Sequence, residues 1–174
     1  YEESEEKAED DDMGYSWRKE AYTLRRNYAD WTMVDQIEIL GKTYLVEDSI
    51  HAQQWKIMND LKEVAGHICM NASWEDTVKS QKIIVWFALD MPHSGGPERL
   101  CGLPGLILEA DVNDGALTIV ADKIELQKLG AEMDMPKKLK GKKVTEEAYI
   151  DVIRKHIAEK KKNEEPWFWG LRYF

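Results

Sequence analysis

Residues 91–111 form the stretch that most constrains how this chain can fold. The stretch holds three of the five prolines and interrupts two apolar segments. Residues 82–89 before it and residues 106–108 after it are apolar, and the first of these is rich in β-branched and aromatic side chains, which is typical of strands. The connection at residues 90–105 is far longer than the usual hairpin loop of about 2–5 residues. We therefore predict a long loop on a β scaffold, packed through its apolar side chains.

The segment Leu103-Pro104-Gly105 predicts a type II turn. Proline sets φ at the first central position of such a turn, and glycine accepts the positive φ at the second. Gly96-Pro97 marks a second irregular point in the loop. The residues that we expect to shape the loop are Gly96, Pro97, Gly102, Leu103, Pro104, Gly105, Leu106 and Ile107.

Turn signals between apolar runs recur along most of the chain. Leu40-Gly41-Lys42 and Asn113-Asp114-Gly115 predict hairpins, and residues 59–63, which begin with Asn59-Asp60, predict a further turn. Neither a repeat nor an alternation of strands and helices occurs. We predict a mainly β (α+β) fold, with a curved antiparallel meander or half-barrel sheet.

One helix is expected near the C-terminal end of the sequence. Thr145 is a good N-cap, acidic residues follow it, and the lysines at residues 160–162 suit the negative end of the helix dipole. The helical spacing predicts one apolar stripe that packs on the sheet. The stripe consists of Tyr149, Val152, Ile153, His156 and Ile157, in which we interpret the histidine as a packing residue rather than a ligand.

Charge and aromatic content divide the 174 residues into three parts. The net charge is −9, and residues 2–12 alone hold eight acids against one lysine. We predict a disordered acidic tail at residues 1–14, because such a run has too little apolar surface to fold. Residues 15–163 are expected to form one domain. Residues 164–174 form an aromatic tail with a candidate partner-binding set: Trp167, Phe168, Trp169, Tyr173 and Phe174.

Charge and hydropathy also exclude some partners. Ten bases against four acids lie in residues 137–162, and we interpret this segment as a solvated face. The acidic total argues against nucleic acid as a partner. Apolar runs are too short for a transmembrane helix, so we do not expect an integral membrane protein.

Two cysteines, Cys69 and Cys101, form a disulfide or stay as buried thiols, and their spacing does not decide between these states. The sequence lacks the common motifs of hydrolases, metalloproteases and nucleotide-binding proteins. A triad of Cys101, His93 and Asp90 is a combination that chance supplies easily. We therefore predict no enzymatic activity and no cofactor.

A soft copper site is a weaker alternative reading of the methionines. It would join Met133 and Met135 to His93 or His67. Methionines fill gaps in cores and loops far more often, because the side chain is flexible and apolar. We therefore predict no metal site.

The loop sequence resembles a known family. Residues 102–107 read Gly-Leu-Pro-Gly-Leu-Ile, the motif after which the GLPGLI family of secreted Bacteroidetes proteins is named. Trp86-Phe87, Met91-Pro92, Gly96-Pro97 and Leu108-Glu109 resemble the family's flanking positions, whereas His67 stands where an aromatic residue is common. This family has no known function. The resemblance implies an exported protein, in the periplasm or associated with the outer membrane.

Two functions follow as predictions. The first is a non-catalytic envelope protein that binds or carries an apolar, lipid-like ligand in the curve of its sheet. It rests on an analogy with the half-barrels of periplasmic lipoprotein carriers, which is a fold-level analogy only. The alternative is an accessory subunit that docks on an outer-membrane protein complex through its helix and aromatic tail.

Overall fold

A computed structural model describes residues 22–126, 128, 130 and 139–164. The described part contains nine strands and one helix. They are β1 (Tyr22–Asn27), β2 (Thr32–Ile39), β3 (Lys42–Ser49), β4 (Lys56–Val64), β5 (His67–Asp76), β6 (Gln81–Ala88), β7 (Ile107–Val112), β8 (Leu117–Val120), β9 (Lys142–Val144) and α1 (Glu146–Lys162).

The strands form two sheets. The first has the order β1-β2-β3-β9, in which β9 runs parallel to β3 and the other neighbours are antiparallel. The second is an antiparallel meander in the order β4-β5-β6-β7-β8. The predicted mainly β fold with a C-terminal helix is confirmed. Its strands are shared between two sheets because the chain leaves the first sheet after β3 and begins the second with β4.

Both predicted hairpin turns are confirmed. Leu40 and Gly41 have φ of 52° and 71°, as a two-residue hairpin turn requires. Asn113 and Asp114 also have positive φ, in the turn between β7 and β8. The turn predicted at residues 59–63 is wrong, because β4 runs through it and the chain turns at residues 65–66.

Hydrogen bonds from the neighbouring strand explain why residues 59–60 stay extended. The register of β4 against β5 shifts between Ile57 and Leu61. There the backbone N–H of Asp60 donates to Oδ1 of the buried Asn71 at 3.1 Å. Nδ2 of Asn71 in turn donates to Oδ2 of Asp60 at 2.9 Å. These partners on β5 override the local preference of asparagine and aspartate for a turn.

Helix α1 begins and packs as the sequence predicts. Oγ1 of Thr145 accepts a hydrogen bond from the backbone N–H of Ala148, which caps the first turn. The buried apolar residues of α1 join the core of the first sheet. That cluster contains Met33, Ile37, Ile39, Tyr44, Val46, Ile50, Cys101, Tyr149, Ile153 and Ile157.

The loop between β6 and β7 connects the cores of the two sheets. Leu100 and Leu103 are buried with the second sheet, in the cluster that contains Phe87. Cys101, between them, is buried in the cluster of the first sheet and the helix. The predicted packed loop is confirmed. Backbone hydrogen bonds also close the loop, including Gly102 N to Ser94 O at 3.0 Å.

The glycines of the loop are required mainly by close approach. Gly105 does not have positive φ, so the predicted type II turn is wrong. A Cβ at Gly105 would lie 1.9 Å from the carbonyl oxygen of Ala88. Positive φ occurs instead at Gly102, at +92°. Of the other residues expected to shape the loop, Pro97 and Ile107 are buried.

Candidate functional site

A cleft of about 280 Å³ lies where four segments meet. These segments are the connection from β3 to β4, the turn between β5 and β6, the central loop and the first turns of α1. Apolar and polar groups share the lining. The apolar groups include Trp74, Leu100 and Ile153, and the polar ones include His51, Lys79 and Glu146.

His51 and Glu146 join the end of the first sheet to the start of the helix. Nδ1 of His51 lies 2.6 Å from Oε2 of Glu146, although the two residues are 95 positions apart. Asp48, at the end of β3, accepts a hydrogen bond of 2.9 Å from the backbone N–H of Glu146. That bond, with a second from the N–H of Ser49, holds the pKa of the Asp48 carboxyl below its ordinary value. This side of the cleft is therefore held by paired and hydrogen-bonded groups.

A buried charge cluster supports the same side of the cleft. Nη2 of Arg99, in the central loop, donates to Oε1 of Glu146. Nε of Arg99 lies 3.3 Å from Oδ2 of Asp35, a fully buried residue of β2. The guanidinium of Arg26 on β1 pairs with both oxygens of Asp35. A buried carboxylate between two guanidinium groups is compensated, so the cluster fixes the loop against the sheet and the helix.

Two tryptophans position the aromatic side of the cleft. The rings of Trp55 and Trp74 meet edge to face, with centroids 6.1 Å apart. Nε1 of Trp55 donates to the carbonyl oxygen of Cys101 at 2.7 Å. Oε1 of Gln53 accepts from the N–H of Cys101 at 2.9 Å. The loop therefore sets the position of Trp55, and Trp55 supports Trp74 in the lining of the cleft.

Both cysteines are buried and free, so the disulfide that the sequence allowed is not formed. Cys69 packs in a cluster of the second sheet, whereas Cys101 packs with the first sheet and the helix. Burial raises the pKa of both thiols. The structure pairs Asp90 with His67 at 2.8 Å and leaves His93 exposed, so it does not assemble the triad with Cys101.

The other sequence predictions have mixed outcomes. His156 is half-buried on α1, and its Nε2 has no hydrogen-bond partner within the described residues. In the described ranges, His, Cys, Asp and Glu form no cluster of three or more that could hold a metal ion. Within the same ranges, none of the helices has the length and apolar character to cross a membrane. Several predictions lie outside the described residues: the acidic tail at residues 1–14, Met133, Met135 and the aromatic set Trp167, Phe168, Trp169, Tyr173 and Phe174.

Sequence patterns did not reveal the cleft. In the sequence, Glu146 is only a favourable acid at the helix start, and Trp74 belongs to none of the motifs described above. His51 sits among turn and strand signals without a motif. The one local signal is the N-cap at Thr145, which places Glu146 at the first position of the helix.

Fold and site together define a two-sheet β module with a polar and aromatic cleft beside its helix. Residues 5–151 match the family described as "N-glycanase peptide, N-terminal domain", and the chain belongs to this family. Two solved structures of PNGF-II, in space groups C2 and P21, share the fold with TM-scores of 0.58 and 0.59. Each is 18% identical to this chain and covers 77% of it. The matched region spans 25% of those longer chains. No curated protein matches this sequence.

The resemblance to the GLPGLI family is therefore wrong. The family model that matches is the N-terminal domain of an N-glycanase, and the solved PNGF-II structures share the fold. Packing gives a physical reason why a six-residue motif misled. Gly102 has positive φ, Leu103 is buried with the second sheet, and Gly105 lies against Ala88. Any β fold with such a loop needs similar residues. The motif therefore indicates the geometry of the loop rather than membership of a family.

Proposed function

We propose that this chain is a non-catalytic binding module that holds a carbohydrate-bearing ligand in the cleft beside α1. The observation that carries the proposal is the placement of Trp74 next to polar groups, among them His51, Lys79 and Glu146. A sugar has apolar C–H faces and a rim of hydroxyl groups. An aromatic ring with several nearby donors and acceptors complements both parts.

The shape of the cleft favours a sugar over an acyl chain. Leu100 and Leu103 of the central loop fill the apolar space against the second sheet, where a lipid would need to enter. The cleft itself carries charged groups, which an acyl chain would have to desolvate without compensation. A lipid-like ligand and docking on an outer-membrane complex remain predictions, as does a location at the cell envelope.

Family membership supports the same class of ligand. The family is described as the N-terminal domain of an N-glycanase. This chain spans a quarter of the PNGF-II chains, so an N-glycanase activity of any larger protein that contains it is itself a proposal. Both carboxylate oxygens of Glu146 are bonded, to His51 and to Arg99. A carboxylate engaged in this way positions its neighbours and suits binding better than proton transfer.

Calorimetric titration with an N-glycosylated peptide and with the same peptide lacking the glycan tests the proposal. We expect binding of the glycosylated peptide only, and no release of glycan by this chain. Trp74→Ala should weaken binding by about tenfold or more, because one aromatic contact is lost. Trp31→Ala is a matched control, since Trp31 is 41% exposed and does not line the cleft. Equal affinity of both peptides would overturn the proposal.

A further inference from the structure

The imidazole ring of His51 lines the cleft and is open to solvent. Its side chain is 66% exposed, whereas that of its partner Glu146 is 15% exposed. Nδ1 of the ring lies 2.6 Å from Oε2 of Glu146. In the part of the chain that the structure describes, Nε2 of His51 has no hydrogen-bond partner. One ring nitrogen is therefore used by the protein, and the other is left for a ligand.

The contact with Glu146 decides which nitrogen of His51 carries the proton. An ionised carboxylate only accepts hydrogen bonds, so Nδ1 has to be the donor in this pair. In a neutral imidazole the second nitrogen is then an acceptor with an unshared lone pair. Nε2 is also the ring nitrogen that lies farther from the backbone. The pair therefore makes His51 a hydrogen-bond acceptor at the surface of the cleft.

Glu146 is itself held in place by two other segments. Its Oε1 accepts from Nη2 of Arg99 in the central loop, and its backbone N–H donates to Asp48 at the end of β3. Arg99 is in turn paired with the buried Asp35. Because a guanidinium only donates, Oε1 is occupied as an acceptor and Oε2 is left for His51. The orientation of the ring thus follows from contacts that are present before any ligand binds.

We propose that Glu146 is a positioning residue that holds the proton of His51 on Nδ1, so that Nε2 accepts a hydrogen bond from a hydroxyl or amide N–H of the ligand. N-acetylated sugars carry both kinds of donor, and their apolar faces suit Trp74 in the same lining. A carboxylate at this point is disfavoured, because it only accepts and would meet the lone pair of Nε2. This inference rests on the proposed function, since it concerns the same ligand in the same cleft.

Long-range ¹H–¹⁵N NMR of the whole chain locates the proton directly. The spectra are recorded at about pH 8.5, where histidine side chains are ordinarily neutral. In a neutral ring the unprotonated nitrogen resonates well downfield of the protonated one. We expect His51 of the ligand-free chain to show a protonated Nδ1 and an unprotonated Nε2. Addition of the N-glycosylated peptide should move the Nε2 signal upfield, and the peptide without glycan should not.

Two variants separate a positioning role from packing. Glu146→Gln keeps the side-chain length, and Arg99, which only donates, should hold the amide oxygen. The amide NH₂ then faces Nδ1 of His51, so the proton should move to Nε2. A merely structural role of Glu146 would leave the tautomer unchanged. His51→Asn identifies the signals of His51 among the four histidines, and loss of Nε2 should weaken binding of the glycosylated peptide by roughly 2- to 10-fold.

A second histidine–carboxylate pair provides the matched control. Nδ1 of His67 lies 2.8 Å from Oδ2 of Asp90, and neither residue lines the cleft. The nitrogen signals of His67 should therefore show the same tautomer and should not respond to the glycosylated peptide. Asp90→Asn should leave the affinity for that peptide unchanged.

The outcomes separate this inference from the proposed function. A His51 ring with its proton on Nε2 in the ligand-free chain overturns the positioning role of Glu146. Binding of the glycosylated peptide that depends on Trp74 but leaves the His51 signals unmoved overturns the contact with Nε2 and leaves the binding module intact. Absence of binding overturns the proposed function together with the ligand contact, whereas the ligand-free spectrum still decides the tautomer. The spectra of the unmodified chain keep the inference testable if Glu146→Gln does not fold.

Discussion

The carbonyl oxygen of Ala88 occupies the space that a Cβ on Gly105 would need, at 1.9 Å from its position. Ala88 is the last residue of β6, and its N–H donates to the carbonyl oxygen of Leu106 at 2.8 Å. The end of the central loop therefore lies directly against the strand that precedes the loop. Only glycine allows this contact.

Gly105→Ala should lower the free energy of unfolding by about 1–3 kcal/mol, because the added methyl group forces the backbone of β6 and the loop apart. Urea denaturation measures the change. Gly41→Asn is the control, since Gly41 has open space around it and asparagine tolerates positive φ. Equal losses in the two variants would contradict a role for close approach at Gly105.

Asp35→Leu should destabilise the protein by about 3–5 kcal/mol, because it leaves the guanidinium of Arg26 buried without its carboxylate. The side chains of Arg26 and Asp35 are 9% and 0% exposed. The double variant Arg26→Met with Asp35→Leu should lose less, since it removes both charges of this pair and leaves Arg99 paired with Glu146. Chemical denaturation of the two single variants and the double variant measures the coupling. Simply additive losses would show that the pair is not coupled.

Reducing agent should leave the melting temperature unchanged, because Cys69 and Cys101 are free. Burial raises the pKa of both thiols, so the thiolate is scarce at pH 7–8 and shielded from reagents. We expect slow labelling by a thiol reagent in the native state and rapid labelling of both cysteines after unfolding. A melting temperature that falls with reductant would indicate a disulfide.

Asp48→Ala should lower the melting temperature at pH 7 and have less effect in acid. The pKa of Asp48 is lowered in the folded state, chiefly by the N–H of Glu146. Its stabilisation is therefore present above the unfolded pKa and is lost as pH falls through the folded pKa. Thermal melts between about pH 2 and pH 7 cover this window, around the ordinary pKa of aspartate. Asp122→Ala, at an exposed position, provides a control. If Asp48→Ala still lowers the melting temperature as much at the lowest pH, the assignment is contradicted.

Local signals predicted the elements that depend on near neighbours. Gly41 and Asn113-Asp114-Gly115 mark hairpins because positive φ is a property of each residue and its turn. Thr145 marks the start of α1 because its side chain bonds to an N–H only three residues ahead. These features, together with the mainly β pattern, could be predicted before any tertiary contact was known.

Contacts between residues far apart in the sequence decided the remaining features of the fold. Asn59-Asp60 has the composition of a turn, yet Asn71 on the neighbouring strand keeps it extended. The parallel pairing of β3 with β9 joins segments that have no shared pattern in the sequence.

The amino-acid sequence by itself determined the mainly β character, the two hairpin turns and the helix, because those choices are made within a few residues. Only the tertiary structure decided the division into two sheets, the role of Gly105 and the cleft. His51 and Glu146 lie 95 positions apart, and Arg99 and Glu146 lie 47 apart. No local periodicity relates residues at such separations. Their proximity depends on how the packed loop, the sheets and the helix share one core.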